Sequence, residues 1–355
     1  MQLEHVLELR RLAGAGLDRL SCSYCFVPFL HSLPNLQSLD LVTCQVSNHC
    51  QDLLLDLGPL YALKNLHVLH LWSGNSNIGF LERLTSLQEL HMVDWKRVSP
   101  SQLSSESAFC RLPTSLTKLC MDNLTWQTDA TTALVRPALQ QFTGHLASLK
   151  LGSQFMKQFG NNAAVLSSLQ CLWRLRELRL AISGTPTVQG FQLSFPCLQT
   201  LEFEVREWAA DRQPKWDLSR CPALHMLILT FWDNGSKHQA AGPVDLRGIT
   251  VNQGLLLHLA LWVPTDKQAF ADFAGWNLET VTMRSAHSDW RQVQSMLDLL
   301  GRLIDHVPIS DISIDGEPVQ LVSGSSWLLD IFDKIVACMG YVHACMLNTI
   351  AWLDG

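Results

Sequence analysis

The chain has 355 residues, 47% hydrophobic and 16% charged, and 63 of them are Leu. So much leucine with so little charge excludes a disordered or collagen-like chain and leaves much of the surface to Ser, Gln, Asn, Thr and His. A formal net charge of −6 also removes the basic footprint that nucleic-acid binding normally needs, so nucleic acid is not an expected partner.

The N-terminus, Met1-Gln2-Leu3-Glu4-His5, opens into interspersed charge and lacks the uninterrupted apolar stretch of a signal peptide. The 11 Cys are odd in number and scattered, which suits a reducing compartment better than a disulfide framework, and a cytoplasmic location is expected. Cys22-Ser23-Tyr24-Cys25 is a lone Cys-x-x-Cys with no second pair at zinc-ribbon spacing.

Downstream, one pattern recurs. It reads Leu36-Leu39-Leu41, Leu66-Leu69-Leu71, Leu87-Leu90-Met92, Leu116-Leu119-Met121, Leu146-Leu149-Leu151 and Leu175-Leu178-Leu180. It continues as Leu198-Leu201-Phe203, Leu224-Leu227-Leu229, Leu278-Val281-Met283 and Ile309-Ile312-Ile314, with degenerate copies around Leu7-Leu9 and Leu257-Leu259. These twelve copies follow one another at a mean spacing of about 28 residues. Alternate residues of a strand point to one face, so each copy sends its Leu into a core that no single repeat closes.

Between the strands, residues 131–142, 161–175 and 290–306 read as helices; in the last, Val293, Leu297, Leu300 and Ile304 recur at helical spacing. Longer loops are expected at 97–112, 206–220 and 234–248. The repeat stops after Glu317, and residues 327–353 read as one helix that caps the last repeat. Its uncharged run from Ile335 to Leu353 has bilayer-spanning length, but His343, Asn348 and nearby Asp330 argue against a membrane span. This helix and an open sheet edge at the N-terminus offer two routes to self-association.

The pattern resembles the leucine-rich-repeat family over residues 4–317, with spacing and helical backs similar to its ribonuclease-inhibitor-like type. The resemblance implies an α/β solenoid over residues 1–317, with a curved parallel sheet on the concave face, helices and loops on the convex face, and a helical cap over 318–355. The family carries Asn or Cys three positions after the third apolar residue, and no continuous Asn ladder exists here: Cys44, Gly74, Trp95, Leu124 and Gln154 stand at the first five such places. The turn amides therefore need other partners, since each one left unpaired costs about 1–3 kcal/mol.

The residue between the last two apolar positions points out of the concave face. That column reads Asp40, His70, His91, Cys120, Lys150, Arg179, Glu202, Ile228, His258, Thr282 and Ser313. On one side of it lie Val68, Glu89 and Lys118, and on the other Val42, Trp72, Val93, Asp122 and Glu204. Trp72 is the expected aromatic anchor of a partner-binding strip that includes Asp40, His70, His91, Lys118, Cys120, Asp122, Lys150, Arg179, Glu202 and Glu204.

No phosphate-binding glycine loop, His-Glu-x-x-His, Gly-x-Ser-x-Gly or dinucleotide fingerprint occurs, so neither an enzyme nor a cofactor is expected. Two functions follow from the resemblance: a scaffold that binds a protein or peptide, or the substrate-recognition arm of a ubiquitin-ligase receptor lacking its adapter-binding segment. A third, from the residues themselves, is a metal or thiol site at His70, His91 and Cys120. A row of ligands in a line suits a tetrahedral metal poorly.

Overall fold

The computed structural model describes residues 17–42, 57–72, 78–93, 96–98, 112–122, 125–126, 141–142, 144–152, 169–183, 191–206, 216–232, 244–245, 249–252, 256–263, 269–270, 276–285, 311–314 and 317–319. The chain divides into two compact units, one of residues 1–188 with 195–198, the other of residues 189–194 and 199–355. The long C-terminal helix, the helix over 290–306 and the degenerate copy at Leu7-Leu9 lie outside the described residues.

The first unit contains β1 (Arg19–Ser23), β2 (Ser38–Val42), β3 (Val68–Trp72), β4 (Glu89–Val93), β5 (Lys96–Val98), β6 (Lys118–Asp122), β7 (Thr125–Trp126), β8 (Ser148–Leu151) and β9 (Glu177–Ser183). Strands β1-β2-β3-β4-β6-β8-β9 pair side by side, all parallel. The register puts the second and third apolar positions of every copy in line: Leu39, Leu69, Leu90, Leu119, Leu149 and Leu178 in one column, Leu41, Leu71, Met92, Met121, Leu151 and Leu180 in the other. All twelve are buried. This is a leucine-rich-repeat fold.

The first rung is β1, where Leu20 faces Leu39 and Cys22 faces Leu41. Leu17-Leu20-Cys22 is therefore a further copy of the pattern, with a thiol where the others carry Leu or Met. Cys22, of the lone Cys-x-x-Cys, belongs to this strand.

The backs of the early repeats are 3-10 turns, at Tyr24–Ser32, Gly58–Ala62 and Ile78–Arg83. The sequence explains why. Leucines recur every third residue before each strand, as Leu30-Leu33-Leu36, Leu57-Leu60-Leu63-Leu66 and Leu81-Leu84-Leu87, all buried. Three residues per turn brings such leucines onto one edge of a 3-10 helix, whereas an α-helix would rotate them apart.

The same geometry gives the turn amides their partners. The Leu33 amide donates to the Leu30 carbonyl at 2.9 Å, Leu63 to Leu60 at 3.0 Å, Leu84 to Leu81 at 3.0 Å and Leu172 to Leu169 at 3.0 Å. Between rungs, one carbonyl accepts two amides of the next repeat: Gln37 O from His67 and Val68, His67 O from Gln88 and Glu89, Gln88 O from Thr117 and Lys118. These bonds tie each rung to the next ahead of its strand, whereas the ladder positions Cys44, Gly74, Trp95, Leu124 and Gln154 lie outside the described residues.

The second unit contains β10 (Phe191–Gln192), β11 (Thr200–Arg206), β12 (Trp216–Asp217), β13 (Met226–Trp232), β14 (Val244–Asp245), β15 (Ile249–Thr250), β16 (Leu256–Val263), β17 (Ala269–Phe270), β18 (Asn277–Ser285), β19 (Asp311–Ile314) and β20 (Glu317–Val319). Strands β11-β13-β16-β18-β19 are parallel, and β20 turns back antiparallel on β19 where the repeat pattern ends. A second ladder, β10-β12-β15, is held by Asp217, whose carboxylate accepts from Gln192 Nε2 (3.0 Å), Ser219 N (3.0 Å), Ser219 Oγ (2.6 Å) and Thr250 Oγ1 (3.2 Å). Phe203 stacks on Trp216 at 4.0 Å between centroids, joining the two ladders.

Candidate functional site

A parallel ladder without slips keeps outward residues in rows as strictly as inward ones. In the first unit the central row is Ser21, Asp40, His70, His91, Cys120, Lys150 and Arg179, each opposite the next. Six of these seven are the residues expected from the sequence; Ser21 is added by the unexpected strand β1.

Toward the C-terminal ends of the strands, Ser23 faces Val42, Trp72 faces Val93 and Val93 faces Asp122. Val42 and Trp72 follow directly on the paired residues Leu41 and Leu71, which sets them side by side. Both are exposed, at 41% and 39% of their surface, amid a sheet whose inward side is closed. On the other side of the central row, Glu89 faces Lys118.

The polar groups are cross-braced. Lys150 Nζ reaches Asp122 Oδ2 at 2.5 Å, Lys118 Nζ lies 3.5 Å from Glu89 Oε2, and His91 Nε2 lies 3.8 Å from the same Glu89 oxygen. The His70 and His91 rings sit 4.3 Å apart, tilted by 44°. Burial pushes His91 down to about 4, and His70, Lys118 and Lys150 push it the same way against the opposing pull of Glu89. His91 is thus neutral at physiological pH, and its buried Nε2 has no hydrogen-bond partner among the described residues.

Tyr24, which the sequence reading passed over, closes the β1 end of this face from behind. It is buried, and burial together with the Asp40 charge pushes its phenol well above the usual range, against the opposing effect of the Trp72 backbone. Its interactions put Asp40 and the Trp72 backbone around one hydroxyl. No repeat position marks Tyr24; the only available signal is an aromatic immediately after a strand.

The geometry gives no basis for the metal or thiol site. Among the described residues no three His, Cys, Asp or Glu side chains gather as a metal-holding group. Cys120 is 6% exposed, and burial raises its thiol, the opposite of what a nucleophile or metal ligand needs. Cys22, Cys120, Cys171, Cys197 and Cys221 form no disulfide among the described residues.

The second unit departs from the expected column. Glu202 faces Ile228, but Ile228 faces Ala260, and His258 falls opposite Met226 in the neighbouring row. The ladder then slips between Leu257 and His258, so that His258 faces Thr280 and Ala260 faces Thr282. There His258 Nδ1 lies 2.7 Å from Thr280 Oγ1 and Nε2 lies 3.0 Å from Glu279 Oε2. Glu204, expected at the surface, is 4% exposed opposite buried Thr230 and is not presented to a partner.

No protein-family model matches the chain, and no curated protein sequence matches it. Among solved structures it is similar to an internalin from Listeria monocytogenes, at 13% identity and a TM-score of 0.38, over 86% of this chain and 84% of that one. The repeat fold therefore rests on the strand register itself. No helix among the described residues is long and apolar enough to cross a membrane.

Proposed function

We propose that this protein is a non-enzymatic interaction scaffold, of the ribonuclease-inhibitor-like repeat type, that binds a protein or peptide on the outward face of β1 to β9 in the cytoplasm. One observation carries the reading. An unbroken row of hydrogen-bonding groups runs across seven strands beside an exposed Trp72–Val42 pair. Apolar anchors rimmed by polar groups are what recognition surfaces use, because burial of the anchor supplies affinity and the polar row supplies register. The contact residues are Asp40, His70, Trp72, His91, Lys118, Asp122, Lys150 and Arg179; Cys120 lies in the row but is too buried to contribute more than shape.

Affinity capture from cell extract, with the wild-type chain and with Trp72→Ala plus His91→Ala, tests the placement. Partners recovered by the wild type should fall at least tenfold with the double variant, a loss of about 1.4 kcal/mol or more. Equal recovery would move the binding face elsewhere.

A further inference from the structure

The β1 to β4 end of the face has a charge imbalance. Asp40 is part-buried, and among the described residues its Oδ2 takes only a long 3.4 Å hydrogen bond from Ser21 Oγ. Its Oδ1 has no hydrogen-bond partner among the described residues. Farther along the face, by contrast, Glu89 has Lys118 and Asp122 has Lys150. Arg19, a cation on the same face of β1, stands opposite Ser38 and forms no ion pair with Asp40 among the described residues. On the next rung, opposite Asp40, is His70, and two residues beyond it along β3 is the exposed indole of Trp72, beside exposed Val42.

We infer that this corner takes an arginine or lysine side chain of the partner, its methylene stem lying on Trp72 and Val42 and its charged head on the Asp40 carboxylate. The spacing suits such a side chain. Asp40 and Trp72 are diagonal neighbours, roughly 7–8 Å apart across the ladder, about the length over which an extended Arg carries its guanidinium. Long cationic side chains bury their stems on apolar surface while keeping the head at a polar group. An indole face adds cation–π attraction, and a carboxylate adds charge-assisted hydrogen bonds. His91 fits beside it as a neutral ring, held uncharged by burial and its neighbours.

This inference rests on the proposed binding face, and one experiment separates the two. The full-length chain is immobilised, and binders are selected from a random 12-residue peptide library displayed on phage, with Trp72→Ala as the counter-selection target. Trp72-dependent peptides should be enriched in Arg or Lys next to an aliphatic or aromatic residue. In a synthetic copy of the best peptide, replacing the basic residue by citrulline or norleucine should weaken binding about tenfold. Asp40→Asn should remove that discrimination, and Asp40→Glu should restore part of it. Trp72-dependent peptides without basic enrichment, or discrimination unchanged in Asp40→Asn, would overturn the cation site and leave the face intact. Failure to select any Trp72-dependent peptide would overturn both. Should Asp40→Asn not fold, loss of the basic peptide's advantage over its neutral analogue in high salt remains the expected result on the wild-type chain, and a salt-independent advantage counts against it.

Discussion

In the first unit each outward residue of one strand sits opposite its counterpart on the next, from Ser21 through Arg179 without a slip. In the second, the ladder slips between Leu257 and His258, and the central row changes from charge to Ile228, Ala260 and Thr282. The inward faces of the two units are nonetheless alike: Leu201, Leu227, Leu259 and Val281 are as completely buried as Leu39, Leu69 and Leu90. The difference teaches that the leucine pattern fixes only the scaffold, while the outward row varies freely with no cost to the core. The face with seven aligned outward rungs and an exposed Trp is the one we propose for recognition.

The largest expected effect tests the likeness of the inward faces. Leu69→Ala in the first unit and Leu227→Ala in the second, both fully buried, should each cost about 2–5 kcal/mol in denaturant unfolding. Losses that differ by more than that range would mean the two cores are not packed alike.

The next effect tests the difference between the outward rows. His91 is held at about 4 when folded against 6.5 ordinarily. An acidified unfolded chain therefore takes the proton first. The stability that neutral His91 confers is complete above pH 6.5 and declines as pH falls to about 4, by up to about 3 kcal/mol. His91→Asn should flatten that part of the pH–stability curve, measured by urea unfolding at pH 7.5, 5.5 and 4.5. An unchanged slope would mean that the ring is solvated in the folded protein. Burial sets most of this value, with His70, Lys118 and Lys150 adding to it against Glu89, so His70→Asn should relieve only a part of it.

A smaller effect belongs to the second unit. Asp217 accepts from Gln192, Ser219 and Thr250, and those hydrogen bonds, Ser219's first, hold its carboxyl below the usual range. Its stabilisation is complete above the ordinary carboxylate value and is lost as pH falls through the lowered one. Asp217→Ala should cost about 1 kcal/mol near neutral pH and less in acid, where the wild-type carboxylate is itself protonated. A cost independent of pH would assign the effect to packing.

These residues also show what the sequence could carry. The inward columns were legible because Leu at two-residue spacing has a single meaning beside a core, and the central outward row followed from them by alternation. Leu20-Ser21-Cys22 escaped because a half-buried thiol breaks the leucine signal at the position where the neighbouring strands carry Leu or Met. The frame at β16 escaped for the opposite reason: Leu255, Leu256, Leu257, Leu259 and Leu261 allow two readings, and only pairing with Leu227 and Leu229 selects the one that buries Leu259 and Leu261. The 3-10 backs were implicit in the three-residue leucine spacing. Tyr24 and Asp217 had no repeat position to announce them, since each acts through partners brought close only by folding.

The smallest expected effect separates a braced face from a stabilised one. Lys118 and Glu89 are 42% and 37% exposed at 3.5 Å, so solvent screens their attraction and holding two long side chains together costs entropy. Lys118→Ala should change folding stability by only about 0.3 kcal/mol, within the error of a single denaturation curve. The same substitution frees Glu89, adding an unpaired carboxylate one column from the row that holds Asp40. If the face takes a cationic partner, Lys118→Ala should therefore tighten binding of a basic peptide by a small factor while leaving the melting temperature unmoved. A tighter complex without a more stable fold would place this ion pair among the groups that tune recognition, whereas parallel losses in both would make it part of the scaffold.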